Sequence, residues 1–511
     1  MSSQPTPTPE RSGDSSVVEQ RSIDYVPHAE RHGKVWHQAP FWFAGNFGLL
    51  TMLIGFAGPQ LGLSIGWSVL AAVLGACFGT FFMAFHANQG PKMGLPQMIQ
   101  SRTQFGTRGA IFPLVATVFV YIGFIVFSTV TSAQLFSVVL PLPKWVMYPV
   151  LIAIAIVIAI FGYRLLHFVQ RWLAYLLILV FTFVTISAIW LVPVPASAHH
   201  LGWSTAAFLT QFSLAAGYQI SYAVYVSDYS RYLPARSSSK KLITWTYLGA
   251  AGSAAWLMSL GVVLSAKLPG MDGPGALQSA GDLIFVGFGI VGVLTLGVGQ
   301  TFSQDINAYG AMLSGLSAID AFRPLRRTAR VRVVGLVIVG LISLAIALFI
   351  PTDYLNSFNA FVTLMLYFLI PWTAVNLVDF YLLRHGKYAI ADIFRSDGGV
   401  YGRWAWRGIV AYLVGFAAMI PFFVVGNYVG PMAQLLGGAD LSFVVGLIVA
   451  GALYYLFWFR ADRSAEKTAI ALSSAELEAD AEPLSIETAD GQWVTGMDEV
   501  RTGVDGGEGD R

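Results

Sequence analysis

The densest run of polar side chains inside an apolar stretch of this sequence is 299-GQTFSQDINAYGAML-313. On a helix, the amide and hydroxyl side chains of one face are Gln300, Ser303, Gln304 and Asn307. Such groups can hydrogen-bond to a small ligand or an ion, and Asp305 can accept a proton or pair with a basic group. Ionisable side chains are rare and costly inside a membrane-spanning helix, so this run is a candidate for substrate or ion binding.

An aromatic ring and a hydroxyl lie one helical turn apart in 121-YIGFIVFSTVTSAQLF-136, at Phe124 and Ser128. This pair suits a flat heteroaromatic ligand, because a ring can stack on the phenylalanine while the hydroxyl bonds to its edge. The alternative is that Phe124 packs in the core or faces lipid, as most phenylalanines on apolar helices do.

A third polar group interrupts the apolar stretch 211-QFSLAAGYQISYAVYVSDY-229, at Gly217, Tyr218, Gln219 and Tyr222. These residues either line a binding site or pack and hydrogen-bond between helices. Asp228 precedes Arg231 by three residues, so the two can form an i, i+3 ion pair near the end of the helix. This pair either closes that end permanently or acts as a gate.

The elements that must position these residues are membrane helices. Of the 511 residues, 56% are hydrophobic and 11% are charged, whereas soluble domains carry roughly 25% charged residues. Twelve stretches are long and apolar enough to cross a bilayer: 40–61, 64–86, 110–140, 145–163, 168–193, 205–227, 242–267, 282–318, 332–350, 357–383, 405–426 and 441–459. The single cysteine, Cys77, excludes an intrachain disulfide.

The distribution of lysine and arginine predicts the orientation of these spans. With the N-terminus in the cytoplasm, the outside loops contain only Lys144 and Lys267, and the inside loops contain nearly all the other basic residues of the spanning region. This is a strong positive-inside bias, so we expect both termini to be cytoplasmic. Residues 1–38 are predicted to be an N-terminal tail, 39–459 the transporter domain, and 460–511 a disordered acidic tail.

The first and sixth spans are predicted to be broken in the middle of the bilayer. The first, 45-GNFGLLTMLIGFAGPQLGL-63, is so rich in glycine that a continuous helix is disfavoured, and we expect a break near Ile54–Gly58. The alternative is that these glycines serve close helix packing. Because the two broken spans are five apart, residues 40–193 and 205–383 are predicted to be inverted repeats, with two extra helices in 405–459.

Three stretches resemble the nucleobase–cation symporter-1 family, of the purine–cytosine permease type. They are 90-GPKMGLPQMIQSRTQFGTRG-109, 227-SDYSRYLP-234 and 122-IGFIVFSTVTSAQLF-136. The resemblance implies a LeuT-like fold of twelve helices that carries a nucleobase or a related ring together with Na⁺ or H⁺.

The resemblance also implies roles for individual residues. The ring would be held between Phe124 and Tyr222, with Ser128 as a polar partner and Tyr218 or Gln219 close by. Further substrate contacts would come from the eighth span, at Gly299, Gln300 and Gln304.

The coupling cation would bind backbone oxygens at Ile54 and Gly55 of the broken first helix, together with Ser303 and Asp305. Sodium-coupled members have two adjacent hydroxyl residues in helix 8, whereas this chain has Phe302-Ser303. A phenylalanine offers no oxygen to a hard cation, which favours H⁺ and leaves Na⁺ open.

The sequence therefore predicts a plasma-membrane symporter for a cytosine- or purine-like ring, acting by alternating access. The alternatives are an amino-acid or amine symporter of the same fold and, more remotely, a membrane-embedded enzyme. The expected partners are the heterocyclic substrate, a monovalent cation or proton, and the lipid bilayer. We expect no cofactor, no metal site, no catalytic residues and no nucleic-acid polymer.

Overall fold

The computed structural model describes residues 23–161, 163–323, 325, 328–351, 354–479, 485–487 and 493–495. The predicted tail over 1–22 and most of the chain after 479 lie outside the described residues.

Most of the described chain is helical. The α-helices are α1 Gln38–Asn46, α2 Leu49–Ile54, α3 Ala57–Gln60, α4 Ile65–Ala87, α5 Gln89–Met93, α6 Gln97–Gln100, α7 Arg102–Phe105, α8 Ile111–Ser137, α9 Lys144–Phe161, α10 Tyr163–Trp190, α11 Thr205–Ile220, α12 Val226–Ser230, α13 Ser239–Lys267, α14 Gly273–Asp282, α15 Phe288–Asp320, α16 Ala329–Phe349, α17 Leu355–Leu377, α18 Ile390–Ile393, α19 Trp406–Met419, α20 Pro431–Leu435, α21 Ser442–Phe459 and α22 Ser464–Ala479.

Short 3₁₀ turns and a π-helical turn connect or extend these helices. The 3₁₀ turns are His28–Glu30, Val35–His37, Ala196–His200, Ser221–Val224, Gly399–Tyr401 and Ile420–Phe422, and the π-turn Val378–Leu383 follows α17. Two small antiparallel hairpins pair β1 Val424–Val425 with β2 Tyr428–Val429, and β3 Ser485–Glu487 with β4 Trp493–Thr495.

Helices lie in the places of all twelve predicted spans. Among the described residues, seven are long and apolar enough to cross a bilayer unaided, and the bent helix pair of the first span would make eight. Of the remaining stretches, the fourth, sixth and eleventh hold shorter or interrupted helices, and the eighth holds the long but more polar α15, so the count of twelve crossings stays a prediction for them. Many of the side chains on the outer surface are large and apolar, as expected for a multi-pass membrane protein in contact with lipid.

The packing of the helices follows the pattern expected for two inverted five-helix repeats. α1 and α2, in the first span, pack against α13 in the seventh, and α11, in the sixth, packs against α4 in the second. Exchange of the two repeats converts the first contact into the second. The same exchange leaves the close contact between α8, in the third span, and α15, in the eighth span, unchanged.

The first span is broken, but not at the predicted place. α1 ends at Asn46 and α2 begins at Leu49, and Val35–Asn46 is bent by 70° relative to Leu49–Gln60. Near Ile54–Gly58 there is only a tight turn between α2 and α3. Gly55 there serves close packing, because a Cβ atom at this position would overlap the backbone carbonyl oxygen of Met258.

The sixth span is interrupted as predicted, a few residues after Gly217. α11 ends at Ile220, a 3₁₀ turn follows, and Tyr225, with φ −137° and ψ 2°, precedes α12. Gly217 itself is helical, and it allows α11 to lie against Val362 and Leu366 of α17.

Parts of both predicted tails, 1–38 and 460–511, pack against the bundle. Ile23 and Val26 are buried, and the Val26 N–H donates to Gly94 O at 2.9 Å. At the other end of the chain, α22 occupies part of the predicted disordered tail. It is anchored because Glu466 accepts a hydrogen bond from Arg384, and Ser473 accepts one from the Ala391 N–H.

Candidate functional site

A central cavity lies where the two interrupted spans meet α8 and α15. Its lining residues are Gly45, Asn46, Phe47, Gly48, Leu50, Phe124, Ser128, Tyr218, Tyr222, Tyr225, Gln300, Ser303, Ile306 and Asn307. They come from α1 and α2, from α8, from α11 and the turn that follows it, and from α15. None of these lining residues carries a charge. The cavity is narrow, with a volume of about 30 Å³.

Gln300 links the broken first span to α8. Its Oε1 accepts from the backbone N–H of Leu49 at 2.6 Å and from that of Leu50 at 3.4 Å. These are N–H groups of the first turn of α2, which no helical carbonyl can satisfy. The Gln300 Nε2 donates to Ser128 O at 3.2 Å and to the Thr131 hydroxyl. Gln300, which is predicted to bind substrate, therefore also caps α2, the second half of the broken first span.

Four aromatic rings form one wall of the cavity. The Phe124 ring lies 5.5 Å from Tyr218 in an edge arrangement and 6.4 Å from Tyr222, with 53° between the planes of the latter pair. Tyr222 also contacts Tyr225, at 5.3 Å. The structure therefore brings Phe124 and Tyr222 to the same cavity, as the resemblance implied.

The polar groups of the cavity are neutral. The hydroxyl of Thr51, on α2, donates to the Tyr218 hydroxyl at 2.9 Å, and Tyr222 OH lies 3.5 Å from Tyr218 OH. The Oδ1 atom of Asn307 is buried and accepts no hydrogen bond from the described residues. Asn307 belongs to the polar face of the eighth span, a candidate for substrate or ion binding as a whole, but the resemblance implies no individual role for it.

The remaining substrate residues predicted in the eighth span point away from the cavity. A Cβ atom on Gly299 would face Leu173 and Leu177 of α10. Gln304 bonds to α8, accepting from Thr129 Oγ1 at 3.3 Å and donating to Ser132 Oγ at 3.4 Å.

Gln219 is also outside the cavity. Its Nε2 donates to Thr80 Oγ1 at 2.8 Å and to Ala250 O at 3.3 Å, so it joins α11 to α4 and α13. Where a helix is interrupted, the direction of one side chain cannot be inferred from its neighbours in sequence. The sequence therefore did not show that Gln219 faces away from the central cavity.

The residues predicted to bind the coupling cation are not brought together. Ile54 O accepts from Gln211 Nε2 at 3.0 Å, and Gly55 lies against α13. Ser303 lines the central cavity, and its hydroxyl donates to Gly299 O at 3.0 Å. The part of the first span that lines the central cavity together with Ser303 is Gly45–Gly48, where the span is broken. Ile54 does not line this cavity.

Asp305 is buried within α15. Its Oδ1 accepts from the Ile306 N–H at 2.7 Å. In the part of the chain that the structure describes, no lysine or arginine forms an ion pair with it.

Asp228 and Arg231 are both buried, at the end of the bundle where the arginine-rich connections between spans lie; we call this the basic end. Asp228 Oδ1 accepts from the Gln97 N–H at 2.7 Å. The Arg231 guanidinium donates to Tyr232 OH at 3.1 Å and to Tyr309 OH at 3.4 Å. These contacts tie α12 to α6 and α15, and the proposed gating pair stays a prediction.

A wide cavity of about 460 Å³ lies at the opposite end of the bundle. It is lined by Leu53 and Phe56 of the first span, by the chain around 268–273, and by Tyr354. The Tyr354 hydroxyl donates to Gln134 Oε1 at 2.8 Å, which links the start of α17 to the end of α8.

A sequence model of the family described as a permease for cytosine/purines, uracil, thiamine and allantoin matches residues 25–446. A protein of Bacillus subtilis named "Putative purine-cytosine permease YxlA" is 37% identical over 445 residues, covering 86% of this chain and 95% of that protein. The purine-cytosine permease FCY21 of Saccharomyces cerevisiae is 25% identical over 487 residues, covering 86% of this chain and 85% of that protein.

Among solved structures, the chain is similar to Mhp1, a nucleobase-cation-symport-1 family transporter, in a closed conformation with bromovinylhydantoin bound. The TM-score is 0.71 and the sequence identity is 17%, and the match covers 90% of this chain and all of that one. At this identity the similarity shows a shared fold, which agrees with the inverted repeat seen in the helix packing.

Proposed function

Since this chain belongs to the family of permeases for cytosine/purines, uracil, thiamine and allantoin, we propose that it is a secondary symporter that imports a cytosine- or purine-like ring. The observation that carries this proposal is the central cavity, whose lining is aromatic and polar but uncharged. A neutral planar ring with hydrogen-bonding edges matches such a lining. The ring ligand named for Mhp1, bromovinylhydantoin, is consistent with this class of substrate.

The ring is proposed to stack between Phe124 and Tyr222. A sandwich needs about 7 Å between the two aromatic planes, because stacked carbon atoms lie about 3.5 Å apart. The ring centroids lie 6.4 Å apart, and the planes are inclined by 53°. Tyr222 must therefore turn towards parallel and move back slightly as the ring enters, which agrees with the small volume of the cavity.

Asn307 is proposed to form a hydrogen bond with one edge of the ring. Its buried Oδ1 has no donor among the described residues, and an unsatisfied buried acceptor costs about 1–3 kcal/mol. A ring N–H at this position would remove that cost, whereas an analogue without the N–H would not. Such a contact selects between rings more strongly than stacking does.

The coupling ion is proposed to be H⁺, carried by Asp305. An isolated carboxylate inside a membrane protein is costly to bury, and taking up a proton relieves that cost. A sodium site would instead need several oxygen ligands around Ser303. The neighbouring residue there is Phe302, and Ile54 O already accepts a hydrogen bond from Gln211.

The basic end of the bundle is proposed to face the cytoplasm of the cell, with the chain in the plasma membrane and both termini inside. This orientation follows from the excess of lysine and arginine in the connections at that end. The wide cavity would then open to the outside and admit the substrate towards the central cavity.

Uptake by cells that express the chain tests the substrate. Labelled cytosine, adenine, hypoxanthine, uracil and allantoin are compared in the wild-type protein, Phe124→Ala and Phe127→Ala. Phe127 is a matched control, because it lies one turn from Phe124 and packs against Phe358 and Phe361, outside the central cavity. Loss of one stacking contact of about 1–3 kcal/mol should raise KM roughly 5- to 150-fold in Phe124→Ala. Equal uptake by the two variants would refute the stacking site.

The coupling ion is tested separately in proteoliposomes. Uptake of the best substrate should persist without Na⁺, collapse with an uncoupler, and be driven by an imposed pH gradient. Asp305→Asn should abolish accumulation against a gradient and keep substrate exchange, because the binding cavity is left intact. Accumulation that needs Na⁺ and survives in Asp305→Asn would show that sodium is the coupling ion.

An amino-acid or amine symporter is the second candidate. Such a substrate needs a partner for its carboxylate or ammonium group, and the described lining of the central cavity offers no charged side chain. Uptake of labelled amino acids in the same cells would decide against the heterocycle if it exceeded uptake of every ring.

A further inference from the structure

A separate cavity of about 230 Å³ lies at the basic end of the bundle, where α19 begins and α21 ends. We call it the arginine cavity, because Arg384, Arg407 and Arg463 all line it. Trp406, Trp458, Asp462, Ala465 and Glu466 also line it. It shares none of these residues with the central cavity.

Three side chains that line this cavity carry N–H groups that are not bonded to an acceptor among the described residues. The Arg407 guanidinium lies 4.5 Å from the centre of the Trp458 ring and 5.5 Å from that of Trp406. Among the residues that the structure describes, Arg407 has no hydrogen-bond acceptor and no carboxylate partner. Arg463 donates to one backbone oxygen, Leu383 O, at 2.5 Å and likewise has no described carboxylate. The indole Nε1 of Trp458 is buried and donates to no acceptor within the described chain.

The acidic groups of the cavity are already engaged. Glu466 Oε1 accepts from Arg384 Nε at 2.5 Å, and the same guanidinium pairs with Asp379. Asp462 lies at the exposed rim, where it accepts from the backbone N–H and the hydroxyl of Ser464. The unengaged donors of Arg407, Arg463 and Trp458 therefore call for an anionic acceptor that the described chain does not supply.

The surroundings of the arginine cavity are those of a membrane surface. Trp404 and Trp406 are exposed beside it, and so are Leu456 and Phe459 on the last turn of α21. Tryptophan side chains prefer the level of the lipid headgroups, and exposed leucine and phenylalanine on a spanning helix face acyl chains. A ligand that enters here meets arginines at one level and an apolar helix surface directly below them.

We propose that the arginine cavity binds the phosphate group of an anionic membrane phospholipid. Arginine is suited to this role, because its planar guanidinium offers paired donors to phosphate oxygens. Basic pockets between spanning helices are known positions for anionic lipid headgroups. Because Ala465 and Glu466 of α22 form part of the wall, the bound headgroup would also hold α22 on the end of the bundle.

Native mass spectrometry of the full chain tests the proposal. The purified protein is titrated with phosphatidylglycerol, with phosphatidylcholine and with inorganic phosphate. The wild-type protein should bind one phosphatidylglycerol at least about tenfold more tightly than either of the others, because inorganic phosphate lacks acyl chains and the choline of phosphatidylcholine would bring a further cation next to the arginines. Equal binding of inorganic phosphate would overturn the assignment to lipid.

Variants separate this site from general attraction of anionic lipid to a basic surface. Arg407→Gln should weaken phosphatidylglycerol binding about tenfold. The control Arg403→Gln removes the same charge from the same connection, at an exposed side chain that does not line the cavity, and should leave binding nearly unchanged. Equal losses in the two variants would contradict the proposal.

Trp458→Phe is the second variant, because it removes the unused N–H and keeps the ring. It should weaken binding about threefold, as expected for one neutral hydrogen bond. It also decides the question if Arg407→Gln does not fold: unchanged binding in Trp458→Phe would then count against the site.

Discussion

Replacement of Gln300 by leucine should weaken the attachment of α2, the second half of the broken first span, to α8 and α15. The variant leaves the buried Leu49 N–H without its acceptor at 2.6 Å, and it removes the donor to Ser128 O and Thr131. An orphaned buried donor costs about 1–3 kcal/mol, and each lost neutral hydrogen bond about 1 kcal/mol more. The total is about 3–5 kcal/mol, enough to reduce substrate affinity by more than tenfold if the cavity depends on the position of α2.

Gln304→Leu is the matched control. Gln304 lies one turn along the same helix and has the same chemistry, but its hydrogen bonds reach only Thr129 and Ser132 of α8. It should cost about 1–2 kcal/mol of stability and leave substrate affinity within a few-fold of the wild-type value. Gln300→Glu gives a further comparison, since it keeps an acceptor for the Leu49 N–H and places a negative charge at a helix N-terminus.

The measurements are the midpoint of thermal unfolding in detergent and the uptake of labelled nucleobase in proteoliposomes. The expected order of midpoints is Gln304→Leu above Gln300→Glu, and Gln300→Glu above Gln300→Leu. If Gln300→Leu retains wild-type affinity, or if Gln300→Glu is as unstable as Gln300→Leu, the capping role assigned to this side chain is wrong.

Three further substitutions test the packing of the bundle by thermal unfolding. Gly261→Ala should lower the midpoint by an amount equivalent to about 1–3 kcal/mol, because a Cβ atom there would overlap a backbone oxygen of α2. The control Gly252→Ala, on the same helix, places its Cβ atom in open space and should be neutral or stabilising. Equal midpoints for the two variants would refute the close approach of α13 to α2. Lys267→Met should cost about 1 kcal/mol, since its Nζ donates to three carbonyl oxygens at the end of α10, and an unchanged midpoint would show that the cap contributes nothing. Arg384→Met should cost about 3–5 kcal/mol by leaving the buried Asp379 carboxylate without its cation, and a smaller loss than in Lys267→Met would contradict that account.

The sequence predicted that the first span is broken, but it placed the break several residues too far along the chain. Glycine content shows where a helix is easily interrupted and where helices approach closely, and it does not distinguish the two. Gly55 serves close approach to α13, whereas the break at Gly48 is held by Gln300, which is distant in sequence. Only the folded bundle brings that amide to the half-helix, so no local pattern could locate the break.

The same limit explains which site residues were predicted. Phe124 and Ser128 lie one turn apart on the regular helix α8, so their spacing indicated a shared face, and both line the central cavity. Tyr222, which the resemblance implied, lines it from the 3₁₀ turn after α11. Gln219 lies next to residues of the cavity in sequence but faces α4 and α13. Asn307 belonged to the polar face that the sequence identified, and its unsatisfied oxygen became visible only in the packed structure.

The positions of the cavities suggest which part of the chain moves first. Leu53 lines the wide cavity and Leu50 lines the central one. Three residues of a helix span only about 4.5 Å, so a single turn of α2 separates the two spaces. That turn lies between the break at Gly48 and the tight turn at Gly55, and Gln300 fixes its first N–H. Because α2 is short, has a hinge at each end and is capped by an amide that also lines the central cavity, it can release its contact with α15 when a ring competes for that amide. The basic end has no comparable thin barrier among the described residues, because Asp228, Arg231 and the chain from 23 onwards pack over it.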